Sequence, residues 1–481
     1  MDAAATTVTA IAGDGIGPEV MAATKRVLAA AGARIAWEDA DAGGAVFRRG
    51  DPTGVPRDTL DSIARTGLAL KGPLETPVGY GEKSANVTLR GYFELYGNIR
   101  PARELPGIRT PFSGRGIDLV IVRENVEDLY AGIEYMQTPG VAETLKLITE
   151  PGCDRVLRLA YGLARAEGRT RLACATKANI MKATEGMMKR VFEHLAPEHP
   201  EIASSHIIID NCAHQLVIAP EQFDVIVTTN MNGDILSDLA AGLVGGLGVA
   251  PSSNVGDDAA MFEAVHGSAP AIAGKGLANP TALLLSAVML LRHVGDFATA
   301  ERVEQAVLVT LEEGRNLTGD IAPRGTGTGT DAYTDQVVAN LGRSGAVPSR
   351  PHTAFNLPRW PDATWHREPG SRELVGLDVF IESGLPAEAL GDELSALTAE
   401  GPFRLAMMSN RGAKVWPPTG GRAYLVDHFR CRFTLRQPGG DGAAAIADLL
   451  ARLGDRHRWM HLEKLQRFDG ADGFSKAQGE A

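Results

Sequence analysis

Three short stretches of this chain combine glycines with residues that could do chemistry together. Ser84-Ala85-Asn86-Val87-Thr88-Leu89-Arg90, with Arg100 and Arg123 downstream, offers hydroxyl, amide and guanidinium donors for a polyanion. Lys177-Ala178-Asn179 offers a group for proton transfer. Asn232-Gly233-Asp234-Ile235-Leu236-Ser237-Asp238 offers two carboxylates one helical turn apart, a spacing that puts both on one helix face. A metal-assisted oxidative decarboxylation of a small polycarboxylate would need this set.

Each part has a plainer alternative. Asp234 and Asp238 either share a Mg²⁺ or Mn²⁺ with substrate oxygens and water, or they complement the amino-terminal charge of their helix. Asp210 could be a third ligand only if the fold carries it there. Arg90, Arg100 and Arg123 end or flank predicted strands, and guanidinium groups grip carboxylates bidentately. Single arginines more often sit in surface ion pairs. Lys177 follows an apolar strand, where partial burial would bring its pKa towards that of a base. Tyr130 could donate a proton or be an ordinary core tyrosine. His266 lies in a loop where backbone could approach a cofactor, or it is a structural loop histidine.

The elements that must position these groups read as α/β. Residues 8–12 predict a buried strand, and Gly13-Asp14-Gly15-Ile16-Gly17-Pro18-Glu19 a tight turn into a helix. This is not the Gly-x-Gly-x-x-Gly dinucleotide fingerprint, because the third glycine falls one residue early. Residues 118–123, 171–176, 206–210 and 224–229 predict further strands, each ending at polar residues. In open α/β sheets ligands bind beyond the carboxyl ends of strands, where Lys177, Asp210 and Asp234 stand. Residues 344–370 carry five prolines and read as a linker. Beyond it, residues 373–382, 403–408 and 428–435 predict strands, and 386–399 and 443–453 helices, enough for a small separate domain.

Bulk properties bound the function classes. A chain of 481 residues exceeds the roughly 250–300 that one core usually serves. Its net charge of −11 argues against nucleic acid or an anionic membrane as partner. No apolar run is long enough to span a bilayer, and no basic-then-apolar leader opens the chain. Cys153, Cys174, Cys212 and Cys431 lack metal-site spacing; reduced buried thiols favour the cytoplasm.

Taken in order, the motifs resemble those of the β-decarboxylating (isocitrate/isopropylmalate) dehydrogenases. Lys71-Gly72-Pro73, Thr76-Pro77-Val78-Gly79 and the segment from Ser84 to Arg90 begin the match. Arg123-Glu124-Asn125, Glu127-Asp128-Leu129-Tyr130-Ala131-Gly132, Asn179-Ile180-Met181-Lys182, Asn232-Gly233-Asp234 and Glu263-Ala264-Val265-His266-Gly267-Ser268-Ala269-Pro270 continue it across about the first 345 residues. Within the family the chain is most similar to the isocitrate-specific members, because isopropylmalate enzymes place apolar or bulky residues where Ser84 and Asn86 stand. Trp459-Met460-His461-Leu462-Glu463-Lys464-Leu465 resembles the extra domain of the longer bacterial type.

The resemblance implies a two-domain fold with a central mixed sheet, not a Rossmann fold, plus a small C-terminal α/β domain. Residues 1–95 and 245–345 would form the large, cofactor-side domain; 96–244 the small domain with dimer interface and clasp; 346–370 a linker; 371–481 the C-terminal domain. Ser84, Asn86, Arg90, Arg100 and Arg123 would hold isocitrate. Asp234 and Asp238 would bind Mg²⁺ or Mn²⁺, joined by Asp210 from the neighbouring subunit of a homodimer. Lys177, also from the neighbour, would assist removal of the hydroxyl proton, and Tyr130 would protonate the enolate. Leu74, Thr76, Asn179, His266, Gly267, Ser268, Ala269, Ala271, Ile272, Asn279 and Asp320 would meet the dinucleotide. NADP-dependent members carry Lys-Tyr where this chain has Ala271-Ile272, and Gly319 and Pro323 replace a later Tyr and Arg. NAD is therefore the expected cofactor, with NADP the alternative and Asp320 a candidate for the ribose hydroxyl. Rivals are a sister enzyme for isopropylmalate, homoisocitrate or tartrate, and a silent regulatory subunit. Such a subunit usually loses a lysine, tyrosine or metal aspartate that this chain keeps.

Overall fold

The computed structural model describes residues 5–75, 84–361, 363–418, 423–437 and 442–477. The chain divides into two compact units. One comprises Met1–Ala131 and Leu147–Asp362, the other Gly132–Lys146 and Ala363–Ala481.

The first unit is built on a mixed sheet of ten strands, as the resemblance implies. From edge to edge they are Ile35–Ala40, Thr6–Ile11, Leu68–Lys71, Ala260–Ala264, Pro251–Val255, Gly97–Arg103, Asp118–Glu124, Val225–Thr228, Arg171–Thr176 and Ala203–Ile208. The first four are parallel to one another, and so are the last four. Antiparallel strands Pro251–Val255 and Gly97–Arg103 join the two blocks.

The inner parallel strands read as largely apolar runs because both faces are covered. Val120 and Val122 enter one core with helix Glu150–Ala166, while Leu119 and Ile121 enter another with helix Asn230–Val244. In the other half, Leu70 and Phe262 pack under helices Thr281–His293 and Phe297–Glu313, and Ala69 and Met261 face the opposite way.

Two sequence expectations change. The strand predicted over 206–210 is Ala203–Ile208, and Asp210 lies in the first turn of helix Ile209–Ile218. Polar Ser204 and Ser205 hide that strand in the sequence, but pairing with Arg171–Thr176 enforces it. Arg90 flanks no strand; it sits on helix Ala85–Tyr92, whose Ala85 and Leu89 turn inward four residues apart.

In the second unit, six strands form an antiparallel sheet in the order Ala413–Trp416, Phe403–Asn410, His428–Leu435, Arg372–Glu382, Arg458–Phe468 and Ala471–Asp472. Leu377, Val379 and Ile381 alternate inward with Phe429, Cys431 and Phe433 beneath helices Ala387–Leu397 and Ala443–Gly454. On the other face, buried Arg432 pairs with both oxygens of Asp378 at 2.7 Å. The hairpin of Glu134–Thr138 and Val141–Thr144 belongs to this unit, tied through Thr138 to Asp427 at 2.9 Å. Among the described residues, no helix or strand falls between Asn340 and Arg372, where the prolines cluster. None of the described helices is long and apolar enough to cross a membrane. All four cysteines are buried and unpaired.

Candidate active site

At the centre of the large sheet, strands Gly97–Arg103 and Asp118–Glu124 pair with Asn98 opposite Arg123. Period-two alternation then places Asn98, Arg100 and Arg123 on one face. Helix Ala85–Tyr92 supplies Arg90, and the end of strand Leu68–Lys71 supplies Lys71. Ser84, Asn86, Arg90, Arg100, Arg123 and Tyr130 line one cavity of about 280 Å³, with Asp234 on its wall. Lys71 and Glu263 also line it, so four basic side chains face two carboxylates there. That surplus of positive charge suits a polyanionic ligand in a chain that is acidic overall.

The carboxylate of Asp234 is a crossroads. It accepts from Arg123 and, at 2.6 Å, from the Tyr130 hydroxyl, and Arg100 lies 3.4 Å away. Burial pushes its carboxyl up, but Arg123, the Tyr130 hydrogen bond and Arg100 outweigh that and hold it below the usual range. Asp234 is thus turned into the arginine cluster rather than capping its own helix. Asp238, one turn on, lies 3.2 Å from Arg100, and burial leaves its carboxyl raised. Burial pushes the Arg123 guanidinium down to about 10, aided by Arg90 and Arg100, and its Nε and a terminal nitrogen both donate to Asn230. Gly233 is required here: a Cβ on it would sit 2.6 Å from the Arg123 side chain. Tyr130 is half-buried; burial and its bond to Asp234 push its hydroxyl pKa up, so it keeps a proton to give.

Lys71 and Glu263 had no role in the sequence reading. They stand opposite each other on adjacent parallel strands and pair at 2.6 Å, with Arg90 on the other carboxylate oxygen at 3.0 Å. Burial alone would raise Glu263, but Lys71 and Arg90 hold it well below the carboxylate range. The sequence signal was present: Lys71 ends one apolar strand, and Glu263 lies one residue from the end of another.

Lys177 and Asp210 do not line the cavity. They pair with each other at 2.9 Å, Lys177 just past strand Arg171–Thr176 and Asp210 in the first turn of helix Ile209–Ile218. Asn179 lies exposed beside Lys177. Among the described residues, no three His, Cys, Asp or Glu groups converge as a metal site. Asp234 and Asp238, one helical turn apart, are a hard-oxygen pair whose chemistry could hold Mg²⁺ or Mn²⁺.

Of the residues expected to meet the dinucleotide, Leu74, His266 and Gly267 border the same cavity, and Thr76 lies outside the described residues. The turn Gly13-Asp14-Gly15 positions the loop beyond them. Ile16 N–H donates to the Ser268 carbonyl at 2.9 Å, and Gly15, at φ +58°, passes so close that a Cβ would lie 2.0 Å from that oxygen. Ala269 takes a left-handed conformation (φ 42°), and Ala271 and Ile272 follow in a short 3₁₀ turn. Lys275 Nζ donates to the Ala271 carbonyl at 2.8 Å, which puts a cation on this loop. Asn279 donates to Asp320 at 2.9 Å, and the other Asp320 oxygen accepts from Thr318 at 2.6 Å. Asp320 thus orders Asn279 instead of presenting a free carboxylate. Asn86 Oδ1, Arg90 Nε and His266 Nε2 are buried without a hydrogen-bond partner among the described residues. Three such atoms around one cavity point to ligands that complete them.

Comparison with known proteins matches this geometry. The family model for isocitrate/isopropylmalate dehydrogenase matches residues 7–337, and that for the bacterial isocitrate dehydrogenase C-terminal domain matches 372–480. An NADP isocitrate dehydrogenase of Thermus thermophilus is 60% identical over 98% of this chain and 96% of its own. The crystal structure of the TT0538 protein from Thermus thermophilus superposes with a TM-score of 0.96 at 59% identity, covering 99% of this chain and 96% of that one. A mitochondrial regulatory component of NAD isocitrate dehydrogenase from Dictyostelium discoideum is 45% identical over 70% of this chain and 92% of its own. With the mixed sheet, the arginine-lined cavity and matches across both units, the chain belongs to the isocitrate/isopropylmalate dehydrogenase family, in the longer bacterial form with the isocitrate dehydrogenase C-terminal domain.

Proposed function

We propose that this chain oxidises isocitrate to 2-oxoglutarate and carbon dioxide while reducing a nicotinamide dinucleotide, as a homodimer with shared active sites. The observation that carries this reading is the meeting of Arg90, Arg100, Arg123, Tyr130 and Asp234 around one cavity. Arg90, Arg100 and Arg123 bind the carboxylates and fix the substrate's orientation. Ser84 and Asn86 add neutral donors and acceptors where a sister substrate would bring an alkyl group. Asp234 and Asp238 would hold a divalent ion, which would supply charge stabilisation, and a bound nicotinamide dinucleotide would supply the hydride acceptor. Tyr130 hands its proton to the carbon that carbon dioxide has left.

Lys177 and Asp210 act in a second copy's site. Their absence from the lining of their own chain's cavity supports this, as do the exposed apolar side chains of Ile180, Ile218 and Ile235. Lys177 then relays the substrate's hydroxyl proton. Mixing inactive Tyr130→Phe with inactive Asp210→Asn should restore about a quarter of wild-type activity, since half the dimers are mixed and each has one intact site. No recovery would refute sharing.

For the cofactor, the name of the whole-length Thermus relative favours NADP over the NAD expected from sequence. Lys275, tethered to Ala271, offers the 2′-phosphate a cation. A second reading, NAD, rests on apolar Ala271 and Ile272. Following the absorbance of reduced nicotinamide with isocitrate, Mg²⁺ and each cofactor tests the whole proposal. Turnover of isopropylmalate or homoisocitrate in preference to isocitrate would overturn the substrate, and a kcat/KM ratio favouring NAD would select the second reading.

A further inference from the structure

Three adjacent antiparallel strands carry a line of polar side chains beneath the cavity. Asn98 on strand Gly97–Arg103 lies directly opposite Asn254 on Pro251–Val255, which pairs in turn with the strand of Glu263. Asn98 and Asn254 are fully buried. Arg100 Nε donates to Asn98 Oδ1 at 2.8 Å. Asn98 Nδ2 donates to Asn254 Oδ1 at 3.1 Å and also reaches Ser252 Oγ at 2.8 Å and the Ser253 carbonyl at 3.1 Å. Asn254 Nδ2 donates to Glu263 Oε1 at 2.8 Å and to the Met261 carbonyl at 3.2 Å. Arg90 donates to the same Glu263 oxygen at 3.0 Å.

The chemistry of the two ends gives this line one direction. A guanidinium Nε–H can only donate, so Asn98 must turn its oxygen to Arg100 and its amide nitrogen away. A carboxylate can only accept, so Asn254 must turn its nitrogen to Glu263 and its oxygen back to Asn98. Neither amide can flip without setting donor against donor or acceptor against acceptor. Asn125 Nδ2 also donates to Asn254 Oδ1, at 3.0 Å, but stands off the line between the arginines.

We propose that Asn98 and Asn254 are positioning residues that join Arg100 to the Glu263–Arg90 pair, so that the two guanidinium groups meet substrate carboxylates as one preset unit. Neither amide touches the substrate. Their effect is to remove the freedom each arginine would otherwise lose on binding. The inference rests on the isocitrate reading above.

The test measures dissociation constants of isocitrate (with Mg²⁺) and of reduced nicotinamide cofactor by titration, with kcat and KM alongside. Asn254→Ala should weaken isocitrate about tenfold, as expected for a hydrogen bond to a charged group, and leave kcat at saturation within about threefold. Cofactor affinity should stay within about twofold. Asn98→Ser, which cannot reach Arg100, should weaken isocitrate similarly and serves if Asn254→Ala does not fold. Asn340→Ala removes an equally buried amide that bonds Thr310 and shares no partner with the line, and should change isocitrate affinity by less than about twofold. Unchanged isocitrate affinity in folded Asn254→Ala and Asn98→Ser, or an equal loss in Asn340→Ala, overturns the relay. Failure of the wild type to bind or turn over isocitrate overturns the functional reading instead.

Discussion

Replacing Glu263 by glutamine keeps the shape of the side chain and removes its charge, which leaves Lys71 without its anion. The Lys71 side chain is 1% exposed, and Glu263 is its ion-pair partner, at 2.6 Å. Burial already pulls the Lys71 ammonium below its ordinary value, with Glu263 the main opposing influence. Stripping one partner from a buried pair costs about 3–5 kcal/mol. Deprotonation caps that cost: shedding a proton at pH 7 from an ammonium with an ordinary pKa near 10.4 costs about 4.6 kcal/mol, at 1.36 kcal/mol per unit. At pH 9 the cap falls to about 1.9 kcal/mol. In the variant the folded chain holds Lys71 neutral, while the unfolded chain binds that proton up to about pH 10.4. The unfolded state then carries more protons, so the variant's stability must rise with pH relative to wild type. Urea unfolding should show Glu263→Gln less stable by about 3–5 kcal/mol at pH 7 and by about 2 kcal/mol at pH 9. Arg90 loses its charged anchor as well, so KM for isocitrate should rise about tenfold. A deficit under about 1 kcal/mol at pH 7, or one that does not shrink by pH 9, would refute the buried-pair reasoning.

Other expectations follow from single features. Tyr130→Phe should lower kcat by about 10²–10⁴ while isocitrate binding is retained, because only the proton donor is lost; an unchanged kcat in steady-state assay would exclude this role. Gly15→Ala places a methyl against the Ser268 carbonyl at a left-handed φ, so it should raise KM for the cofactor and spare that for isocitrate; the reverse pattern would place the turn elsewhere. Burial pushes the Glu124 carboxyl up to about 7 from its ordinary 4.5. The folded state binds the extra proton, so this contribution is full below pH 4.5 and lost as pH rises through about 7. Glu124→Gln should therefore match wild type near pH 5 and exceed it by about 1–3 kcal/mol at pH 8 in thermal or urea unfolding, unless the raised carboxyl is not present.

Much of this protein is local and so was legible in the chain. The order of its motifs identified the family, and the spacing of Asp234 and Asp238 put both on one helix face before any fold was known. Strand Arg171–Thr176 and helix Ala443–Gly454 declared themselves by apolar runs and periodicity. The stretch before Arg372 that carries no helix or strand among the described residues is marked by its prolines. Strand Ala203–Ile208 declared only its apolar end, because its polar residues are held by a neighbour rather than by their own preference.

The site itself needed the tertiary structure. A carboxylate near a helix start could cap that helix or serve an ion; only strand Asp118–Glu124, passing beside Gly233, brings Arg123 to Asp234 and decides against the cap. The Lys71–Glu263–Arg90 pairing joins side chains far apart in sequence, and its strength comes from burial, which no spacing reveals. Asn98 and Asn254 carry no signal in the chain, and the sheet sets them opposite each other. Lys177 and Asp210 were assigned to a neighbour's site by resemblance, and the structure adds that they pair together outside their own cavity. Residue types and local order thus determined what chemistry is available, while long-range pairing decided which charges meet, because electrostatics and desolvation act through space and not along the chain.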